Sequence, residues 1–268
     1  MLIKNMHNVS YQLIKKEFKK NGYVLLKNFF QKNQIQTIKS EIKRIKLNNS
    51  ACKIYFEKIE SKKVIRRIEN FSKNISSINQ ILKTEKLMKI MYDLMGSNVS
   101  IFKEKINFKE AKNGNGFNLH IDGHFYWKNK AGVKKKGWKE YSNKFINLVI
   151  PLDQCTKRNG CLKLYTKDVT KKIVGVGWEK ITKKLYNHGP FLDQKISIKD
   201  KPFFAEMNIG DVLLFDWKCI HGSDNNKSDD DRAILYITYN SSKDGDLMTR
   251  YFKDKNESRG DQYSKSLA

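Results

Sequence analysis

The chain has 268 residues, with 53 Lys and Arg against 28 Asp and Glu, a formal net charge of +25, 39% hydrophobic and 12% aromatic residues. That apolar and aromatic content excludes a disordered chain, and the length suffices for one large domain with its own core, so residues 1–268 are expected to form a single domain. No apolar run approaches a membrane span, MLIKNMHNVS lacks the apolar stretch of a secretory signal, and four scattered cysteines without a CxxC pair speak against a disulfide frame or a zinc site. A cytoplasmic protein with reduced thiols is the expectation. The lysines are spread along the whole length with no dominant basic block and no nucleic-acid-binding motif. They read as solvated faces of a Lys-, Asn- and Ile-rich chain, whose positive field would still favour anionic small molecules.

In chain order, Leu13, Ile14 and Phe18 recur at helical spacing over Ser10–Asn21, and Gly22 stops that helix. Tyr23–Leu26 reads as a short strand, and Ile35, Ile38, Ile42 and Ile45 mark a second amphipathic helix. Ser50–Lys73 carries a dense polar group, Arg66, Arg67, Glu69 and Asn70, which suits either a solvated loop or a segment folded over a barrel mouth. Leu87, Ile90, Met91 and Leu94 give a third helix, stopped by Gly96. Val99–Lys109 alternates, with Phe102, Ile106 and Phe108 on one face and Lys103, Lys105, Asn107 and Lys109 on the other. A Gly-rich turn, Asn113–Gly116, then leads into Gly116–Asp122 (GFNLHID). The basic, aromatic-rich loop between Asp122 and Phe145 has the length of a functional lid. Phe145–Leu152 is a continuous apolar strand fit for burial on both faces, and Cys161–Tyr165, Asp211–Trp217 and Arg232–Asn240 are further strands. Val169–Lys201 reads as a long insertion without a placement, and Gly245–Ala268 as a polar surface tail.

The chemistry gathers around His120 and Asp122. Two residues apart on a strand, they point to the same side and can bind one metal ion. One further His completes a two-His-one-carboxylate face, which suits non-haem Fe(II) and leaves positions open for substrate and oxygen. His221 is the candidate. Arg232, eleven residues later, falls where the return strand of a hairpin would bring it near the metal, and its guanidinium could grip a carboxylate in two charge-assisted bonds. His-x-Asp alone is a weak signal, and His120 alone could be a core histidine. His124 reads as a pocket or surface residue, and His7 and His188 have no supporting context.

The whole series is far more specific. GFNLHID after a Gly-rich turn, NGCL at Asn159–Leu162, GDVLLFD running into His221-Gly222-Ser223, and Arg232 opening AILYITY together resemble the phytanoyl-CoA dioxygenase family, over roughly Ser10 to Lys255. The resemblance implies an α+β fold: a double-stranded β-helix, or cupin-like jelly roll, with flanking N-terminal helices. It implies an Fe(II)- and 2-oxoglutarate-dependent oxygenase that uses O2, with His120, Asp122 and His221 as metal ligands. It also implies that 2-oxoglutarate chelates the metal while its far carboxylate meets Arg232 and Ser223, with Trp138 and Phe117 as aromatic neighbours. Asn107 and Lys105 are expected to face the same co-substrate from their strand. Retention of Asp122 favours hydroxylation or desaturation over halogenation.

For the substrate, the tail Thr238–Lys255 together with IYFEKIE and RRIENF resembles the subgroup that hydroxylates organophosphonates such as 2-aminoethylphosphonate and its N-methylated relatives. Arg66 or Arg67 would hold the phosphonate, and Tyr126 or Trp127 would face an ammonium head by cation–π attraction. The expected partner is a small anionic or zwitterionic molecule, with no membrane and no nucleic acid, and the oligomeric state is not legible. A hydroxylase of an acyl-CoA, amino acid or secondary metabolite would carry the same metal site. A catalytically silent jelly-roll binding protein or a nucleic-acid-binding protein is the alternative of another class.

Overall fold

The computed structural model describes residues 2–3, 10–48, 52–59, 61–72, 75–129, 131–175, 182–183, 191–193 and 195–259. In chain order, β1 (Leu2–Ile3) precedes α1 (Tyr11–Asn21), β2 (Tyr23–Leu26) and α2 (Lys32–Asn48). A hairpin of β3 (Lys53–Ile59) and β4 (Lys62–Glu69) leads to α3 (Ser76–Leu82), α4 (Glu85–Met95) and the long β5 (Val99–Lys109). Next come β6 (Phe117–His120), the small hairpin β7 (Trp127–Lys128) and β8 (Lys134–Lys135), β9 (Phe145–Pro151), β10 (Leu162–Leu164) and α5 (Lys167–Val174). The paired β11 (Thr182–Lys183) and β12 (Phe191–Leu192), then β13 (Phe203–Phe204), β14 (Val212–Asp216), β15 (His221–Ser223), β16 (Arg232–Ser241) and α6 (Met248–Arg259) complete the order.

The strands form an eight-stranded sheet, β1-β2-β14-β9-β16-β5-β4-β3, facing a four-stranded one, β13-β10-β15-β6. Alternation along each strand explains the layering. In β9, Ile146, Leu148 and Ile150 turn outward to join Ile14, Phe18, Ile35, Ile38, Leu87 and Met91 of the helices. Val149 turns inward to meet Leu162 and Leu164 of the small sheet, beside Leu213, Phe215, Ile234 and Tyr236. The large sheet is thus buried on both faces, as the continuous apolar run of β9 requires. This is an α+β jelly roll braced by helices on one side. Helix α1 starts where Ser10 accepts a hydrogen bond from the Gln12 N–H and ends at Gly22, whose φ of 84° is the left-handed cap glycine adopts most easily.

Several expectations change. Within the polar stretch 50–73, the described residues of β3 and β4 form neither loop nor lid but extend the large sheet, Arg67 pairing with Asn107 of β5. Lysines at the β3–β4 turn had hidden the strands. Phe102 does not share a face with Ile106 and Phe108. A bulge between Thr238 and Tyr239 of β16, opposite Lys103 and Ile101, inserts Phe102 as an extra residue. Phe102 therefore packs inward on Trp138, Phe145 and Tyr251, while Ile101, Ile106 and Phe108 pack on the helices. The C-terminal tail is not only surface, since α6 buries Tyr251 and Lys255. Part of the unplaced 169–201 stretch is α5, whose start is capped by Thr166 accepting from the Val169 N–H. His7 and His188 lie outside the described residues.

Candidate active site

β6 and β15 lie side by side with His120 directly opposite His221, ring centroids 4.3 Å apart. Asp122 is not on the strand with His120. It sits two residues beyond the end of β6, in a turn. Gly123 makes that turn possible: its φ is +66°, and a Cβ there would fall 2.4 Å from Trp138 Cγ. One ligand atom from each of His120, Asp122 and His221 lies within 4.8 Å of the others, a set able to hold a metal ion.

The inner atoms are held from behind. Nδ1 of His120 bonds the Asn118 carbonyl at 2.8 Å and Nδ1 of His221 the Cys219 carbonyl at 3.0 Å. Both Nε2 atoms are thereby left toward the carboxylate, at 3.9 Å and 3.7 Å from its oxygens. Asn147 Nδ2 donates to Asp122 Oδ2 at 3.0 Å, and Thr238 Oγ1 donates to Asn147 Oδ1 at 2.7 Å. Burial lowers the His120 pKa to about 3 and also lowers that of His221. Burial pushes the Asp122 carboxyl up, but His221, Lys105, His120 and Lys103 outweigh it and bring it down to about 2. Neutral imidazoles and an ionised carboxylate are the protonation states a metal requires, so the donor set fits Fe(II).

Arg232 opens β16 opposite Lys109 of β5. Its Nη2 donates to the Gly160 carbonyl at 2.8 Å, and Lys109 Nζ donates to the same carbonyl at 3.1 Å and to Ser223 Oγ at 2.8 Å. Asp224 O accepts from Lys109 as well. Burial, then Arg232 and Arg66, lower the Lys109 ammonium to about 6. Gly160 of the NGCL motif has a φ of +70°, and a Cβ there would lie 2.7 Å from Lys109 Nζ. Arg232, Ser223 and Lys109 thus converge at one end of the interior. Lys109 is the member that sequence reasoning passed over, although it stands on the polar face of its strand. Asn147 and Thr238 were missed too. A lone Asn inside FINLVIP was the available signal.

The other expected residues separate. Arg66 is taken up by structural partners. Its guanidinium donates to the carbonyls of Asn115 at 2.6 Å and Gly116 at 2.8 Å, pairs with Glu57 at 3.5 Å, and lies 3.8 Å above the Phe117 ring. Phe117 pairs with Ser223 across the strands, which places that brace directly beneath the site. Arg67 Nε donates to Asn107 Oδ1 at 3.0 Å. Lys105 faces inward, 4.9 Å from the Tyr236 ring; burial lowers its ammonium to about 7, against an upward pull from Asp122. Trp138 is packed among Phe102, Phe145 and Trp217, on the Gly123 side and not with Arg232. Tyr126, 38% exposed, has Lys134 Nζ 3.9 Å from its ring and opens onto a cavity of about 230 Å3 with His124, Lys136 and Lys139. The Trp127 side chain lies outside the described residues. A cleft of about 960 Å3 between α2 and the Ser228–Asp231 turn touches Lys109 and Arg232 but none of the three metal-ligating side chains.

Comparison with known proteins agrees with this geometry. Residues 18–234 match the phytanoyl-CoA dioxygenase family. A 2-aminoethylphosphonate dioxygenase from an uncultured bacterium is 29% identical over 254 residues, covering 91% of this chain and 86% of that protein. A methylphosphonate hydroxylase from Gimesia maris is 29% identical over 183 residues, covering 68% and 61%. Among solved structures, EctD from S. alaskensis with 2-oxoglutarate and 5-hydroxyectoine aligns with a TM-score of 0.63 at 16% identity, over 91% of this chain and 81% of that one. No described helix is long and apolar enough to cross a membrane. With the match spanning both histidines, the carboxylate and Arg232, the chain belongs to the phytanoyl-CoA dioxygenase family and is an Fe(II)- and 2-oxoglutarate-dependent oxygenase.

Proposed function

We propose that this oxygenase hydroxylates a small organophosphonate, such as 2-aminoethylphosphonate or its N-methylated form, as one catalytic domain in a reducing cytoplasm. The observation that carries the substrate class is the similarity to two phosphonate-oxidising relatives, each 29% identical. The basic side chains gathered on β4, β5 and β16 near the metal site, Arg67, Lys103, Lys105, Lys109 and Arg232, support it, because a cluster of basic groups favours an anion. The buried thiols Cys155, Cys161 and Cys219, none in a disulfide, suit a reducing compartment.

In this reading His120, Asp122 and His221 hold the metal, and Asn147 fixes the carboxylate that binds it. Iron with 2-oxoglutarate and O2 supplies the oxidising power for C–H hydroxylation, releasing succinate and carbon dioxide. The chain's own groups position and shield. Arg232 and Ser223 receive the far carboxylate of 2-oxoglutarate, with Lys109 Nζ beside them as a further hydrogen-bond donor. The aromatic cluster of Phe102, Trp138, Phe145 and Trp217 keeps water from the Asp122 side.

The test is anaerobic. Fe(II) and then 2-oxoglutarate are added to the apo protein, and the visible charge-transfer band of the chelate is recorded. A band in the wild type that is weakened in both Asp122→Ala and Arg232→Ala is expected. Succinate release driven by 2-aminoethylphosphonate then establishes the substrate class. Substrate-dependent release with an acyl-CoA or an amino acid, and none with phosphonates, would replace that class.

A further inference from the structure

β5 carries two cationic groups with no assigned partner. On the inner face of the large sheet, Lys109 stands opposite Arg232, Lys105 opposite Tyr236, and Lys103 opposite Thr238. Lys105 therefore lies four residues along the strand from the Arg232 end, about 13 Å at ~3.3 Å per residue, and Lys103 lies farther still. Along the strand both lysines are thus set apart from the Arg232–Lys109 pair. Both lysines are close to the metal site instead: Thr238, the cross-strand partner of Lys103, holds Asn147, which holds Asp122.

Among the described residues, neither ammonium makes a hydrogen bond or an ion pair. Lys103 Nζ lies 5.6 Å from the Trp138 ring and 5.5 Å from the Tyr251 ring, and Lys105 Nζ faces Tyr236. The neighbouring anion, Glu69, pairs with Lys255 of α6 and with Arg67 at 3.5 Å, and accepts from Tyr55 OH at 3.2 Å. Arg67 joins the two lysines from the adjacent strand, Glu69 and Arg67 standing opposite Lys105 and Asn107. Asp122 is committed to a metal, and Glu69 is shared among Lys255, Arg67 and, without direct contact, Lys103, so among the described residues neither Lys103 nor Lys105 has an anion in hydrogen-bonding contact. Both lysines are half-buried on this inner face, and a ligand dianion seated between them would give each ammonium a charge-assisted partner.

We propose that Lys103, Lys105 and Arg67 form a second anion subsite that holds the tetrahedral dianionic head of the substrate, separate from the Arg232–Lys109–Ser223 end that takes the co-substrate. The substrate's carbon chain then extends from this subsite toward the open side of the metal. This rests on the phosphonate reading above for the identity of the head group, but the subsite can be probed without turnover.

Calorimetric titration of methylphosphonate into the anaerobic enzyme loaded with Fe(II) and 2-oxoglutarate provides the test, near neutral pH, where the phosphonate is partly dianionic and Lys105 is still partly protonated. Lys103→Met and Lys105→Met are expected to weaken its binding by about 10- to 100-fold each, with the chelate band still formed and 2-oxoglutarate affinity affected far less. Lys105→Arg, which keeps the charge, should retain most of the binding. Because Lys103 also helps to hold the buried Glu69 carboxylate, urea unfolding of each Met variant is measured alongside, and a variant as stable as the wild type gives a loss of binding that is read directly. The proposal is overturned if the Met variants bind methylphosphonate as the wild type does. It is equally overturned if 2-oxoglutarate affinity falls in step, or if the wild type binds no methylphosphonate. Should the wild type bind it through these lysines yet oxidise no phosphonate, the subsite stands and the proposed function falls.

Discussion

Asn147 interrupts an otherwise apolar, fully buried strand, and its two hydrogen bonds explain why it is tolerated there. A buried amide needs partners, and Asp122 on one side and Thr238 on the other satisfy it. The chain Thr238–Asn147–Asp122 fixes the carboxylate in the orientation a metal would meet. Groups that orient metal ligands typically contribute 10- to 100-fold in metal affinity. Asn147→Ala is expected to raise the Kd for Fe(II) by about that factor while leaving the far-carboxylate end intact, read as a chelate band that needs more iron to reach the same height. An Fe(II) titration of Asn147→Ala that overlays the wild type would remove Asn147 from this role. At this scale the sequence was legible where spacing is tight. His120 and Asp122 stand two residues apart, and His221 and Arg232 follow motifs of their own. It was illegible where a role depends on a distant partner: Arg66 looks like a free cation in RRIENF, yet Asn115, Gly116 and Glu57 occupy it.

Elements were legible by period. The helices α1, α2 and α4 and the strands β9, β14 and β16 follow from apolar spacing alone. The hairpin β3–β4 and helix α6 do not, because their inward-facing positions include charged residues whose compensation lies elsewhere in the chain. Glu69 on β4 is fully buried, and Lys255 on α6 reaches it. Burial alone would raise the Glu69 carboxyl, but Lys255, Lys103 and Arg67 hold it well below the usual carboxylate range. That ion pair, together with Tyr251 packed on Phe102, fastens α6 across the end of the large sheet. Breaking one side of a buried pair leaves an uncompensated charge. Lys255→Met is therefore expected to cost about 3–5 kcal/mol, measured by urea unfolding, and to loosen α6 first. The double variant Glu69→Gln with Lys255→Met should recover most of that loss, because the hydrogen-bonding amide needs no counter-charge. A double variant no more stable than Lys255→Met would mean that packing of the lysine stem, and not charge, holds the helix.

Across the whole molecule, the charge of +25 acts in two places that salt can separate. The buried basic groups Lys109 and Arg232 lie where mobile ions screen little. The lysines of the β7–β8 hairpin and the segment after it, Lys134, Lys135, Lys136 and Lys139, lie around Tyr126 and the small cavity it lines and are open to solvent screening. A field from exposed charge raises the encounter rate of an anion and decays over a Debye length of about 10 Å at 0.1 M salt. For a dianionic substrate, kcat/KM should therefore fall by about 3- to 10-fold between low and physiological ionic strength, with kcat nearly constant. Replacing Lys134, Lys135 and Lys139 together by Gln should flatten that dependence and leave kcat unchanged, since none of the three touches the metal-ligating side chains or the Arg232 end. Loss of kcat in the triple variant would instead place the hairpin in the chemistry. A salt dependence that the triple variant leaves as steep would assign the attraction to the field of the whole chain, and the spread of lysines seen in the sequence would then be its functional source.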